Sequence, residues 1–196
     1  YIILNINKQK KMRKGQRSSK YYRRREAKTN SEYIEYCNSI RTPIVTTRFN
    51  NESWNENDKY RLNYPNIGCV YATPEMNSDR IGPDCILFVL EMNNEINRIM
   101  GVGMVRNHVI IKKHRVYSNE NYNRYAYVGK HRIDRNEMNE EEEMIMRVFD
   151  ILCFKGSRHM KRLQGIKAFP MDMLYRCKGI MDLVEFIRKM FKSRLE

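Results

Sequence analysis

Positive charge is distributed so unevenly along this chain that it divides the sequence into two parts. Residues 1–30 contain eleven lysines and arginines and one glutamate, a net charge of +10, with no apolar periodicity. The remaining 166 residues carry a net charge of +4. A segment with this much like charge and this little apolar surface cannot build a core. We therefore predict a basic, flexible N-terminal arm over residues 1–30 and a single domain over residues 31–196.

The arm favours a partner that carries negative charge. Lysine and arginine attract nucleic-acid phosphates without reading sequence, and the attraction weakens as the salt concentration rises. An import signal or a solvated chain end has the same composition. The sequence leaves these alternatives open, together with a protein partner for the arm.

The apolar residues are too thinly spread for a membrane protein. The mean hydropathy is -0.74, and the longest apolar run, residues 85–90, has the length of a strand. At the N-terminus residues 1–4 alone are apolar, which does not predict a secretory signal. Five widely spaced cysteines without a C-x-x-C pair are typical of a reducing compartment. We expect an intracellular protein of the cytoplasm or nucleus, or of a viral factory or virion, with no membrane partner.

The sequence contains no recognisable constellation for catalysis or metal binding. Its four histidines and five cysteines lack the spacing of zinc ligands. There is no Walker loop, no G-x-G-x-x-G after a strand and no G-x-S-x-G. Gly101 and Gly103 lie inside a strand-like run, where glycine is more typical of a bulge or a close backbone approach than of a phosphate cradle. We predict a protein that is not an enzyme and that has neither a metal nor a cofactor.

Short β-branched and aromatic runs fill the middle of the chain and predict a β meander. The predicted strands are residues 44–49, 68–73, 85–91, 98–106, 109–117 and 125–134. A short helix opens at Ser31, a polar segment over residues 50–66 contains the single tryptophan, and residues 148–154 form a strand or buried segment. Apolar residues at spacings of three and four predict a C-terminal helix over residues 179–194. The fold class is α+β, a curved mixed sheet or open barrel covered by helices.

Several of these segments follow one another in an order that resembles a known family. They are TRFNNE at residues 47–52, GCVYAT at 68–73, the paired strands CILFV at 85–89 and IMGVG at 99–103, KGSR at 155–158 and the last helix. Together they resemble the YTH domain, the reader of N6-methyladenosine in RNA and a member of the PUA-like group. The resemblance covers about residues 43–194 and implies a PUA/YTH-like fold with a basic N-terminal arm.

The resemblance also implies a function and a site. A YTH-like domain is a non-catalytic RNA-binding module that holds an adenine of single-stranded RNA, N6-methylated in the family, between aromatic walls. Tyr71 stands where the family has its first cage tryptophan, and Asn50 matches the asparagine that reads the base. The implied base pocket is Asn50, Trp54, Tyr71, Tyr117 and Tyr122. The residues implied to contact the RNA backbone are Arg48, Lys155, Arg158, Lys161 and Arg162.

Each of these assignments has an ordinary structural alternative. Tyr71 is also typical of a core or cross-strand aromatic, Asn50 with Asn51 of a turn, and the basic residues around Arg158 of a solvated surface. The alternative function is a structural or assembly protein, for example of a large DNA virus. Such a protein would bind nucleic acid or protein partners on a PUA-like scaffold without reading a modified base. Convergence of Tyr71, Asn50 and a further aromatic on one cleft favours the reader, whereas a Tyr71 packed in the core counts against it.

Overall fold

The fold combines five α-helices with two β-sheets in the part of the chain that the computed structural model describes, residues 20–77, 81–110, 114–162 and 164–196. The helices are α1 (Lys20–Ser39), α2 (Asn51–Asn63), α3 (Glu140–Phe154), α4 (Met171–Lys178) and α5 (Leu183–Leu195). The strands are β1 (Ile44–Phe49), β2 (Cys69–Thr73), β3 (Ile86–Asn93), β4 (Arg98–Arg106), β5 (Tyr125–Gly129), β6 (His131–Asp134) and β7 (Lys167–Ala168). Short 3-10 turns at Glu120–Asn123 and Arg135–Glu137 precede β5 and α3. The predicted α+β class is confirmed.

The first helix begins earlier than the sequence predicted. The segment that opens at Ser31 is the second half of α1, which starts at Lys20, so residues 20–30 of the predicted arm are helical. Lysine, arginine, glutamate and alanine are good helix formers, so the helix extends from its packed C-terminal half toward the N-terminus. That end is anchored by Tyr36, which is 3% exposed and packs 5.6 Å from the ring of Tyr175 in α4. Residues 1–19 of the predicted arm lie outside the described residues.

The main sheet has five strands in the order β6-β4-β3-β1-β7, and β2 pairs with β5 in a separate sheet. β1 runs parallel to β3, with Ile44 opposite Phe88, whereas the other pairs are antiparallel. A parallel pair requires a long crossover, and α2 and β2 form it. The predicted meander was therefore wrong in its order, although the sheet is mixed as expected. Neither sheet closes into a barrel.

Three segments differ from their predicted secondary structure. The polar segment 50–66 contains α2, whose first turn is closed by a capping box between Asn50 and Ser53. The strand predicted over residues 125–134 divides at Lys130 into β5 and β6, which belong to different sheets. Residues 148–154 are the end of α3. Of the strand predicted over residues 109–117, residues 111–113 lie outside the description and Ile110 forms a single bridge to Ala126.

Two apolar cores lie on the two faces of the main sheet. Side chains alternate along β3, so that Phe88, Leu90 and Met92 face the helices while Leu87 and Val89 face the small sheet. The C-terminal helix contributes the predicted apolar face to the first core, with Leu183, Val184, Ile187, Met190 and Phe191 all buried. None of the helices in the described ranges is both long and apolar enough to cross a bilayer.

A buried ion pair within the main sheet holds the small sheet through the hydroxyl of Tyr71. Glu91 on β3 is 0% exposed and accepts three hydrogen bonds of 2.8–3.0 Å from the guanidinium of Arg132 on β6. Arg132 also donates to Asp134 at 2.8 Å, and the hydroxyl of Tyr71 on β2 donates to Glu91 at 2.8 Å. Burial by itself would lower the pKa of Arg132, but attraction to Glu91 and the hydrogen bonds raise it above its ordinary value. The guanidinium of Arg132 therefore keeps its charge despite its burial.

The two strand glycines make room for this ion pair. A Cβ at Gly101 would lie 2.9 Å from a carboxylate oxygen of Glu91, and one at Gly103 would lie 1.8 Å from the hydroxyl of Tyr71. The register between β3 and β4 also shifts between Leu90 and Met92, next to Gly101. The glycines thus mark a bulge and a close approach, as the sequence predicted.

A second buried arginine fastens α3 to the sheet. Arg135, with 4% of its side chain exposed, forms ion pairs with Glu143 at 2.7 Å and Asp150 at 2.8 Å, and donates to the carbonyl of Ile99. Hydrogen bonds from Arg135 lower the pKa of Glu143 to about 2 from an ordinary 4.5. The carboxylate of Glu143 is thus part of the packing between α3 and β4.

Glu143 makes the stability of the fold sensitive to acid. A carboxylate whose pKa falls on folding stabilises the protein above its unfolded pKa and loses that contribution as the pH drops through its folded pKa. The free energy of unfolding should therefore decrease between about pH 4.5 and pH 2. Glu143→Gln should lower it at pH 7 by about 2 kcal/mol and make it less dependent on pH in this window. Urea denaturation at a series of pH values measures both effects.

The neighbouring Glu140→Gln is the matched control for this measurement. Glu140 is exposed on the first turn of the same helix and makes no ion pair among the described residues. Its substitution should leave the acid slope unchanged. Equal slopes for Glu143→Gln and the unsubstituted protein would show that the Arg135 cluster does not couple to folding.

Candidate nucleic-acid-binding cleft

A cleft of about 320 Å³ lies where the end of β1, the first turn of α2, the end of β2 and the loop before β5 meet. It brings together four residues that the sequence assigned to RNA binding, namely Arg48, Asn50, Tyr117 and Tyr122. These residues are up to 74 positions apart in the chain, and the crossover from β1 through α2 into β2 is what places them together. The volume is within the range of ordinary ligand sites.

Tyr117 is held in the cleft wall by two buried asparagines. The side chain of Asn123 accepts hydrogen bonds from the backbone N–H groups of Val116 and Tyr117 at 2.9 and 3.0 Å, and donates to the carbonyl of Tyr117 at 2.6 Å. Asn57 on α2 donates to the hydroxyl of Tyr117 at 3.2 Å. Burial raises the pKa of that hydroxyl, so it stays protonated near neutral pH. This wall is formed before any ligand arrives.

Tyr122 provides the accessible aromatic surface of the cleft. Its ring is 39% exposed and meets Tyr117 edge to face, with centroids 6.5 Å apart and an angle of 84°. Edge-to-face packing fixes one ring against the other while leaving a face of the outer ring open. An open tyrosine face of this kind is a surface on which a nucleobase stacks.

Asn50 lines the cleft, but its oxygen is already engaged. Oδ1 accepts from the backbone N–H of Ser53 at 2.8 Å and from the Ser53 hydroxyl at 2.6 Å, which caps α2. The oxygen of Asn50 therefore has a structural role as the cap of α2 and is not available to a base. Its amide NH₂ group makes no hydrogen bond within the described ranges and is the part that remains for a ligand.

Tyr71 is not a wall of the cleft, and its assignment to the base pocket was wrong. The residue is 0% exposed and packs between the two sheets, where its hydroxyl bonds Glu91. Burial, followed by the nearby charge of Glu91, raises its pKa well above the ordinary value. The reason is the alternation of β2, which turns Tyr71 inward between the sheets while the next residue, Ala72, lines the cleft.

Trp54 was also wrongly placed in the pocket. Its ring packs edge to face on Phe49 at 5.3 Å, and the guanidinium groups of Arg61 and Arg132 each lie 5.5 Å from the ring centre. Ser53 and Glu56 occupy the side of α2 that faces the cleft. Trp54 lies with Asn57 and Arg61 on the side that faces the sheets, as the helical spacing requires.

The predicted backbone contacts divide between two regions. Arg48 lines the cleft, where its Nη1 donates to the carbonyl of Lys161, and the amine of Lys161 donates to Asn97 at 2.7 Å. Arg158 instead forms a bidentate pair with Asp172, at 2.7 and 3.1 Å, beside a separate cavity of about 910 Å³ between α1 and α4. Lys155 and Arg162 are exposed and make no ion pair among the described residues. The structure thus places Arg48 in the cleft, where the backbone carbonyl of Lys161 accepts from it, and keeps Arg158 away from the cleft.

Sequence reasoning missed most of the polar residues of the cleft, among them Glu56, Thr73 and Asn94. Glu56 accepts a hydrogen bond from the backbone of Ser118 at 2.8 Å. Asn94 lies in the turn between β3 and β4, where no sequence pattern assigned it to the site. The described residues contain no group of histidine, cysteine and acidic side chains that could hold a metal ion.

Comparisons with protein-family models, with curated proteins and with solved structures gave no match.

The position of Tyr71 makes a substitution test possible. Tyr71→Phe removes the hydroxyl that bonds Glu91 and retains the ring, so the free energy of unfolding should fall by about 1 kcal/mol. The affinity for single-stranded RNA should not change, because the residue does not reach the cleft. Urea denaturation and an RNA titration on the same variant check both statements. If the folded Tyr71→Phe variant bound RNA more weakly, Tyr71 would belong to the binding site after all.

Proposed function

We propose that the protein is a non-catalytic RNA-binding module that holds an adenine of single-stranded RNA, in its N6-methylated or unmethylated form, in the cleft. The observation that carries this proposal is the convergence of Arg48, Tyr117 and Tyr122 on one preformed cavity. The order of the YTH-like segments in the sequence supports it. The base would stack on Tyr122, an interaction worth about 1–3 kcal/mol.

The charges around the cleft favour one orientation of the RNA. Arg48 has no carboxylate partner among the described residues, and burial lowers the pKa of its guanidinium. Glu52 and Glu56 line the opposite side, on α2. A phosphate would therefore lie on the Arg48 side, since the carboxylates of α2 repel it. The basic N-terminal segment adds attraction that does not depend on sequence.

The preference for a methyl group should be smaller than in a complete aromatic cage. Tyr71 and Trp54 are engaged elsewhere. Phe49 also lines the cleft but is buried against Trp54, which leaves Tyr117 and Tyr122 as the aromatic walls. Two rings in an edge-to-face corner enclose less of a methyl group than three walls do. The reader hypothesis thus predicts recognition of the base with a modest gain from methylation.

An assembly role is the second candidate function, and one observation favours it. The family's first cage position is used here for an internal bond between Tyr71 and Glu91. A scaffold that has lost its reading pocket would bind nucleic acid or protein partners, in a large DNA virus for example, through charge alone. For either function the free cysteines Cys37, Cys69, Cys85, Cys153 and Cys177 support a reducing, intracellular location in the cytoplasm, the nucleus or a viral factory.

A titration with paired short RNAs tests the proposal. The two strands differ by N6-methylation of one adenine and are compared at physiological salt. We expect both to bind, the methylated strand more tightly by less than tenfold, a difference below about 1.4 kcal/mol. Tyr122→Ala should weaken both by about tenfold because a stacking platform is lost.

Tyr64→Ala is the matched control for Tyr122→Ala. Tyr64 is a similarly exposed tyrosine at the end of α2, 52% accessible, and it does not line the cleft. Its substitution should leave RNA affinity unchanged. If Tyr122→Ala and Tyr64→Ala have equal effects, the RNA is held by surface charge and the assembly function becomes the better explanation.

A further inference from the structure

Arg48 and Asn94 are fixed side by side in the cleft wall by a shared acceptor. Nη1 of Arg48 and Nδ2 of Asn94 both donate to the backbone carbonyl of Lys161, the second at 3.1 Å. Both side chains line the cleft. One carbonyl therefore fixes the positions of two polar groups, one on β1 and one in the turn after β3.

Each of the two side chains keeps one polar atom without a partner. Nε of Arg48, a donor, and Oδ1 of Asn94, an acceptor, are shielded from water and form no hydrogen bond with any residue that the structure describes. Unpaired shielded polar atoms are unfavourable and uncommon in native proteins, and two beside one cleft require an explanation. A ligand that presents an acceptor next to a donor would satisfy both.

The turn that carries Asn94 is built to hold it in place. The backbone N–H of Asn94 donates to the carbonyl of Phe49 at 2.9 Å, and the side chain of Asn93 donates to Asn51 at 3.0 Å. Lys161, which supplies the shared carbonyl, is itself held by Asn97. The unpaired atoms thus belong to a rigid part of the structure and not to a loose loop.

We infer that Arg48 and Asn94 are the specificity-determining pair of the cleft and read the edge of adenine that carries N7 and the N6 amino group. Nε of Arg48 donates to N7, and Oδ1 of Asn94 accepts from the N6 amino group. This inference rests on the proposed function and adds to it the residues that select the base. It replaces the oxygen of Asn50, which caps α2, as the group that reads the base.

The same pair discriminates against the other bases at this edge. Guanine presents two acceptors there, so its O6 would face Oδ1 of Asn94 without a hydrogen. Cytosine offers a donor without the N7 acceptor, and uracil offers an acceptor without the donor. Among the four bases adenine alone combines the two groups that Arg48 and Asn94 lack.

Methylation of the base has a graded consequence for this pair. A single N6-methyl group leaves one N6 hydrogen for Asn94, whereas two methyl groups leave none. Both protein atoms are covered in the unliganded cleft, so contact requires a small side-chain rotation. The terminal torsion of asparagine is broad and permits such a rotation.

The test is a titration of four short RNAs that differ at one position. That position carries adenine, guanine, N6,N6-dimethyladenine or purine without its amino group, in an otherwise uracil strand. The unsubstituted protein should bind the adenine strand about tenfold more tightly than the others. Asn94→Ala should bind all four alike, with its loss confined to the adenine strand. Arg48→Lys, which keeps the charge but not the Nε donor, should also lose the preference for adenine.

Asn55→Ala is the matched control in this experiment. Asn55 is exposed on α2 and does not line the cleft. This variant should keep the preference for adenine.

The outcomes separate the inference from the function on which it rests. If Asn94→Ala keeps the full preference, or if the unsubstituted protein binds all four strands equally with Tyr122 still required, the recognition pair is overturned and the RNA-binding function stands. If no strand binds at physiological salt, both are overturned.

Discussion

The buried pair between Glu91 and Arg132 is the interaction on which the rest of this structure depends. Loss of one partner from such a pair leaves an unpaired charge in the interior, at a cost of about 3–5 kcal/mol. Strands β3 and β6 supply the two charges, and Tyr71 brings β2 onto them. The small sheet is therefore fixed on the main sheet by directional bonds as well as by apolar packing. The junction fixes the position of one wall of the cleft, because β2 ends at Thr73 and Thr73 lines the cleft.

This junction also explains why Tyr71 and Trp54 do not form the aromatic cage that the resemblance implied. The side chain of Tyr71 points between the sheets, and its hydroxyl donates a hydrogen bond to Glu91. Gly103 accommodates that hydroxyl, so the tyrosine and the glycine form one structural unit. Trp54 packs at the same junction, where its ring lies against the guanidinium of Arg132. Two aromatic residues that could have enclosed a base instead stabilise a buried charge.

The sequence predicted the local elements well and their long-range arrangement poorly. Strand β4 and the apolar face of α5 follow from period-two and period-three-to-four patterns. Helix α2 was missed because its asparagine-rich surface has no apolar stripe, although Asn50 and Ser53 could have been recognised as its cap. The parallel pairing of β1 with β3 has no signature in local sequence. Asn94 is oriented by a hydrogen bond from its Nδ2 to a carbonyl 67 residues away, and its Oδ1 is left unpaired. No sequence motif would reveal that contact.

Hydrogen bonds from asparagine side chains hold several loops of this protein in place. Asn123 closes the loop that carries Tyr117, Asn57 ties that loop to α2, and Asn93 binds the hairpin turn to the start of α2. An amide offers a donor and an acceptor on a short, stiff side chain, so it can fix irregular backbone at little entropic cost. A cleft whose walls are fixed in this way needs little reorganisation when it binds. For that reason an unsatisfied donor and acceptor within it, on Arg48 and Asn94, are more informative about the ligand than the aromatic residues are.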